Sequence, residues 1–156
     1  MVETWIPEPD GTVVSRISEA GGEIIGNATC KNMSYSPSSN TSSTGAVQSL
    51  HAHGYSASGS SSGVGALVGS LDNLVDMGIG ADQGGSIRIP AATGVVVGLK
   101  PADGLAPYTG IVSSEAVMDH AGPVCKNVMD VAVLLKAVAE RDGLDDRAVG
   151  AQSIVR

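Results

Sequence analysis

Three observations predict an α/β fold. Apolar residues recur at helical spacing after Asp10, stop at Gly21 and Gly22, and give way to a short apolar run at residues 23–25. A serine-tipped helical segment over residues 60–69 precedes a strand-like stretch at residues 75–80. Asn127 then opens a segment with Val128, Val131, Leu134, Leu135 and Val138 on one face of a helix. Short strands alternating with helices, in 156 residues, fit one α/β layer arrangement around a single core.

Composition narrows the class. Apolar residues make up 42% and charged residues 16% of the chain, which is globular rather than disordered. A net charge of −7 argues against nucleic-acid binding, which needs clustered Lys and Arg. No run is long and apolar enough to span a membrane, and the start lacks a signal-peptide pattern, so no membrane association and a cytoplasmic location are expected. Cys30 and Cys125 have no metal-ligand spacing and are read as buried free thiols; no metal and no cofactor are expected.

In chain order, Asp10 is placed as the N-cap of the first helix and residues 23–25 as a buried strand. Residues 32–54, rich in Ser, Thr and Asn, read as a long irregular loop. His51 and His53 in that loop lack a third ligand and receive no role. The strand at 75–80 runs straight into residues 82–86, and residues 87–89 are short before Pro90 turns the chain. The β-branched run at 95–98 suits a central, doubly covered strand. Tyr108 is open to either a pocket or a packing role. Arg141 and Gly143 close the last helix.

The chemistry concentrates in two glycine–serine clusters. In DQGGSIRIPAA, residues 82–92, Ser86 follows paired glycines that let a ligand approach the backbone and can turn N–H groups toward one point. In GYSASGSSSG, residues 54–63, three serines lead into a helix. Helix capping would by itself account for Ser60, Ser61 and Ser62.

Those two clusters, followed by GLKPADGLAPYTG at 98–110, MDHAGPV at 118–124 and ERDGLDDR at 140–147, resemble the amidase signature family, and nitrile-pathway amidases of aliphatic and aromatic amides in particular. The resemblance implies the central part of the amidase signature fold, with a mixed sheet covered by helices on both faces. It implies Ser86 as nucleophile and Ser60 as the relay serine, with Ser61 or Ser62 as alternatives. It assigns the oxyanion hole to the main-chain N–H groups of Gln83, Gly84, Gly85 and Ser86, and Asp82 with Arg88 is read as an ion pair supporting the loop. The sequence departs from the family's pattern at Ser58, Ser62 and Val64.

The family's third catalytic member is a lysine from a segment that would precede Met1. None of Lys31, Lys100, Lys126 and Lys136 stands in its context. Residues 1–156 are therefore expected to form one partial amidase signature domain, without the lysine segment and the C-terminal half. The implied activity is hydrolysis of a small-molecule amide through a serine acyl-enzyme, weak or lost in the isolated chain. Self-association or a complementing amidase segment is the expected partnership. The alternative is a non-catalytic scaffold keeping the core of the fold.

Overall fold

Alternation along β1 (Met77–Asp82) sets the layers of this molecule, a computed structural model that describes residues 9–150. Met77, Ile79 and Ala81 pack into a cluster with Val131, Leu134 and Val138 of α4 (Val128–Val138) and with Val13, Val14 and Ile17 of α1 (Thr12–Glu19). The intervening residues turn the other way. A Cβ on Gly80 would lie 2.9 Å from Ser61 Oγ and 3.1 Å from Ile87, so only glycine lets the serine cluster sit directly on the strand.

The strand order is β1-β3-β2, with β3 (His120–Cys125) central and both neighbours antiparallel to it. Its Ala121 and Cys125 join the α1–α4 cluster, whereas Val124 packs with Ile87, Ala91, Val64 and Val96 on the opposite face. That second face is covered by α2 (Ser62–Gly69) and α3 (Arg88–Thr93). The α/β class and helices on both faces are as the sequence predicts. The three strands present pair only antiparallel.

Several elements differ from expectation. Residues 23–25 form no strand and are exposed, because no neighbour offers them a ladder among the described residues. Gly11 rather than Asp10 caps α1, without a side-chain bond. The run at 95–98 is no central strand: β2 is only Val97–Gly98, at the sheet edge, and Val95 is exposed at φ 57°. Residues after Ile87 form α3, with Pro90 in its first turn, where a missing N–H costs nothing. β3 escapes the sequence reading because Gly122 and Pro123 argue against a central strand. Pro123 is tolerated because its carbonyl, accepting the Leu99 N–H at 3.0 Å, faces the side where β2 has already ended. Val128 is exposed, so the buried stripe of α4 is narrower than its spacing suggests.

The two ends of the described chain are fastened to each other. The Arg16 guanidinium donates to the carbonyls of Val138, Ala139, Glu140 and Arg141 at 2.7–3.0 Å, closing the C-terminus of α4 where cationic donors are favoured. Thr12 donates its hydroxyl to Asp142 at 2.7 Å, and the N–H groups of Leu144 and Asp145 join it at 2.9 Å. Burial alone would raise the Asp142 pKa; these donors and Thr109 more than offset it and hold the carboxyl below its usual range.

Candidate functional site

A buried carboxylate builds the Ser86 loop. Asp82 ends β1 fully buried, and its Oδ1 accepts the Gly85 N–H at 2.7 Å while Oδ2 accepts the Ile87 N–H at 3.1 Å. Arg88 grips the same carboxylate through Nε at 3.0 Å and a terminal guanidinium nitrogen at 2.9 Å. Burial would raise the Asp82 pKa, but Arg88 and the two N–H donors overturn that and lower it to about 2. The expected Asp82–Arg88 ion pair is thus present and bidentate.

This arrangement decides which main-chain groups stay available. Asp82 takes the N–H groups on either side of Ser86 and skips Ser86 itself. Gly85 holds φ at 113°, which a side chain rarely adopts, and so swings the chain from β1 toward α3. Around Gly84 there is open space where a Cβ would stand. Of the expected oxyanion donors, Gln83, Gly84 and Ser86 are not held by Asp82, whereas the Gly85 N–H is. Ser86 retains 8% exposure.

The second cluster docks on β1 through Ser61. Its Oγ donates to the Ala81 carbonyl at 3.2 Å and accepts the Ala81 N–H at 3.1 Å, satisfying both main-chain groups of a residue on an edge strand. Ser61 is also the N-cap position of α2 but makes no capping bond. Ser62 is buried with Oγ unpartnered. Ser60 is 3% exposed, and its carbonyl accepts the Lys31 N–H at 3.0 Å. The two serine clusters therefore meet across the end of β1, one entering α2 and the other entering α3.

Gln83 faces Asp119 and Tyr108. The polar Gln83 side chain favours the ionised form of each, while burial raises the Tyr108 hydroxyl to about 12 together with the Asp119 charge. Asp119 Oδ2 accepts from Ser113 Oγ at 2.6 Å and the Ser114 N–H at 2.7 Å; burial pushes its pKa up, and these bonds pull it below the usual value. Asp119 Oδ1 and Gln83 Oε1 are buried without partners. Tyr108 lies in the main core beneath the Arg147 guanidinium, 4.6 Å from the ring centre, so its role is packing.

His51 Nε2 lies 3.0 Å from the Gly94 carbonyl, and no group able to hold a metal occurs among the described residues. Cys125 is buried and burial raises its thiol to about 11. Cys30 is exposed, contrary to expectation, because residues 23–30 run outside the layers. No helix among the described residues is long and apolar enough to cross a membrane. Sequence reasoning missed Lys31, which is 3% exposed and adjoins Ser60 through its backbone. Nothing in its polar surroundings signals burial. Asp119 was missed because its place opposite Gln83 follows only from the β1–β3 register.

The chain is 45% identical over 149 residues to an enantioselective amidase of Rhodococcus rhodochrous, covering 94% of this chain and 28% of that protein. It is 37% identical over 145 residues to a glutamyl-tRNA(Gln) amidotransferase subunit of Haloarcula marismortui, covering 93% and 34%. Among solved structures, the corresponding amidotransferase subunit of Thermotoga maritima superposes with a TM-score of 0.91 at 32% identity, covering 97% of this chain and 33% of that one. The native peptide amidase of Stenotrophomonas maltophilia gives 0.88 at 32% identity, covering 94% and 31%. The chain thus spans about a third of the length of these relatives. The Amidase family matches it over residues 1–153, and with both serine clusters set at the end of one strand, the chain belongs to the amidase signature family.

Proposed function

We propose that this chain carries the nucleophile-bearing centre of an amidase that hydrolyses a small carboxylic amide to an acid and ammonia or an amine. Ser86 attacks the carbonyl carbon, its proton passes to Ser60, and the tetrahedral oxyanion is met by N–H groups of residues 83–86. Loss of the amine leaves an acyl-Ser86, which water hydrolyses. The observation that carries this reading is the Asp82 clamp, which fixes the backbone on both sides of Ser86 and leaves Ser86 itself free. Because the Gly85 N–H already serves Asp82, Gly84 and Ser86 become the main oxyanion donors.

A serine relay needs a terminal base, and the lysines described here are engaged or turned outward. Lys31 Nζ binds Ser36 and Ser38, Lys100 binds the Pro101 carbonyl, Lys126 binds Asn73, and Lys136 is exposed. In this reading the base and the substrate pocket come from a complementing amidase segment, and residues 1–156 act as one partial domain with weak activity alone. Neither of two surface clefts, about 310 Å³ beside Arg16 and Lys136 and about 210 Å³ beside His51 and Asp72, is lined by Ser60 or Ser86. The exposed Leu71, Leu74 and Val95 offer apolar surface to such a segment or to a second copy. Free Cys30 and Cys125 support a cytoplasmic setting. The engaged lysines also favour the second reading, a non-catalytic scaffold.

Labelling with a fluorophosphonate probe, mapped by mass spectrometry, separates the two. Stoichiometric label on Ser86 that is lost in Ser86→Ala and in Ser60→Ala supports the amidase reading. A folded chain with no label on Ser86, alone or with a lysine-bearing amidase segment added, supports the scaffold.

A further inference from the structure

Lys31 is the one buried lysine among the described residues, at 3% exposure, and its ammonium forms no ion pair with a described carboxylate. Burying an ammonium against neutral acceptors is costly compared with an apolar side chain, so stability alone does not account for it. Nζ donates to Ser36 Oγ at 2.8 Å and to the Ser38 carbonyl at 2.5 Å, the two residues that flank Pro37. The Pro37 carbonyl in turn accepts the Gly59 N–H at 2.5 Å, while the Lys31 N–H donates to the Ser60 carbonyl at 3.0 Å. One residue thus closes a ring of bonds: its backbone holds Ser60, and its ammonium holds the turn that grips Gly59. That turn needs holding. Met33 and Ser34 stand at φ 55° and Ser36 at φ 116°, three non-glycine residues in the left-handed region within four positions. Such a conformation lasts only where its surroundings impose it.

We propose that Lys31 is a positioning residue for the relay serine: its ammonium fixes residues 36–38, and through Pro37 and its own N–H it fixes the main chain on both sides of the Gly59–Ser60 peptide. The inference deepens the amidase reading and rests on it, since a relay role is what gives the placement of Ser60 a purpose. Lys31 keeps its protons and passes none on; its action ends at the backbone. Gly59 stands at φ 69°, and a Cβ there would lie 2.5 Å from Pro90 in α3, the helix that follows Ser86. A shift of the turn at residues 36–38 is therefore felt where the two serine clusters pack together. Ser61, next in the chain, is already pinned to β1 through Ala81. Ser60 is held from one side by the strand leading to Ser86 and from the other by Lys31. Lysine suits this task because several N–H donors on one long stem reach both acceptors at once, and charge-assisted bonds exceed those of a neutral amide.

The test reads the full chain in two ways: amide hydrogen exchange residue by residue, and the rate of fluorophosphonate labelling at Ser86, alone and with a lysine-bearing amidase segment. In Lys31→Met the Gly59 amide is expected to lose its protection while the amides of α4 keep theirs and the unfolding midpoint is retained. Labelling at Ser86 is expected to slow by about 100-fold, the scale of a misplaced catalytic group. Lys31→Arg, whose guanidinium donates to both oxygens and cannot act as a base, is expected to restore protection and labelling together. Ser36→Ala removes one acceptor at an exposed position and is expected to show a smaller loss of the same kind. Protection at Gly59 unchanged in both Lys31→Met and Ser36→Ala overturns the proposal. So does protection lost at Gly59 with Ser86 labelled at the native rate, or protection lost equally at Gly59 and across α4. A native chain that never labels at Ser86 overturns the amidase reading, and with it the purpose given to Lys31, even where Gly59 responds as expected. Exchange at Gly59 and label at Ser86 therefore tell the two failures apart.

Discussion

Asp82 and Lys31 are buried side chains of opposite charge, and they are satisfied in different ways. Asp82 is met by a guanidinium and by the N–H groups of its own loop. Lys31 is met by a hydroxyl and a carbonyl, both neutral. A charge compensated by an opposite charge is fixed in place, because removing one partner strands the other. A group held only by neutral oxygens leaves no opposite charge stranded when it is removed. The Ser86 loop is accordingly locked by opposite charge, and the segment at residues 31–38 is tied by neutral acceptors alone.

Asp82→Asn is the strongest test of that contrast. The amide cannot accept from Arg88 and from the loop N–H groups together, and it presents its own donors to them. Breaking a buried charge pair of this kind costs about 3 kcal/mol or more, seen as a fall in the urea midpoint at unchanged m-value. Arg88→Gln should cost less, since the Arg88 side chain is 55% exposed and water takes over part of its role. Equal losses in both variants would mean that the countercharge, and not the loop N–H groups, dominates.

Acid titration reads the same clamp without a mutation. The Asp82 pKa is lowered from 3.8 to about 2 in the folded chain. The unfolded chain therefore binds the proton first as pH falls. The stabilisation, roughly 2 kcal/mol for a shift of this size, is complete above about pH 4 and lost as pH drops through about 2. Asp119, Asp142 and Asp145 are lowered as well and add to the slope. Urea midpoints between about pH 5 and pH 2 should fall less steeply in Asp82→Asn than in the native chain. Identical slopes would assign acid sensitivity to the other three carboxylates.

Asn127→Ala supplies a reference outside both regions. Asn127 Oδ1 accepts the Asp130 N–H at 3.0 Å at the start of α4, and losing such a cap costs about 1 kcal/mol. This cap was legible in the sequence because capping is local: a polar residue directly ahead of an apolar helical pattern. The two serine clusters were legible because glycine spacing and serine content lie within a few residues of each other. What could not be read were features set by distant partners. β3 depends on β2 ending before Pro123, so a proline that locally argues against a central strand is harmless there. The strand expected at residues 23–25 fails because apolar residues alone do not supply a neighbour. Burial of Lys31 depends on Ser36 and Ser38 folding back over it and on the Ser60 carbonyl across the chain.

Lys31→Met carries the smallest expected effect and sharpens the comparison most. Methionine keeps the length of the stem and removes the amine. The Ser36 hydroxyl is exposed and the Ser38 residue half-buried, so water can replace the lost contacts. No opposite charge is stranded, unlike at Asp82. Stability should therefore change by less than about 1 kcal/mol, since replacing a buried polar group by an apolar one of similar volume is often near neutral when no charged partner remains. A loss as large as that of Asp82→Asn would mean that Lys31 acts as a charged structural tie, and the two buried charges would then serve one purpose.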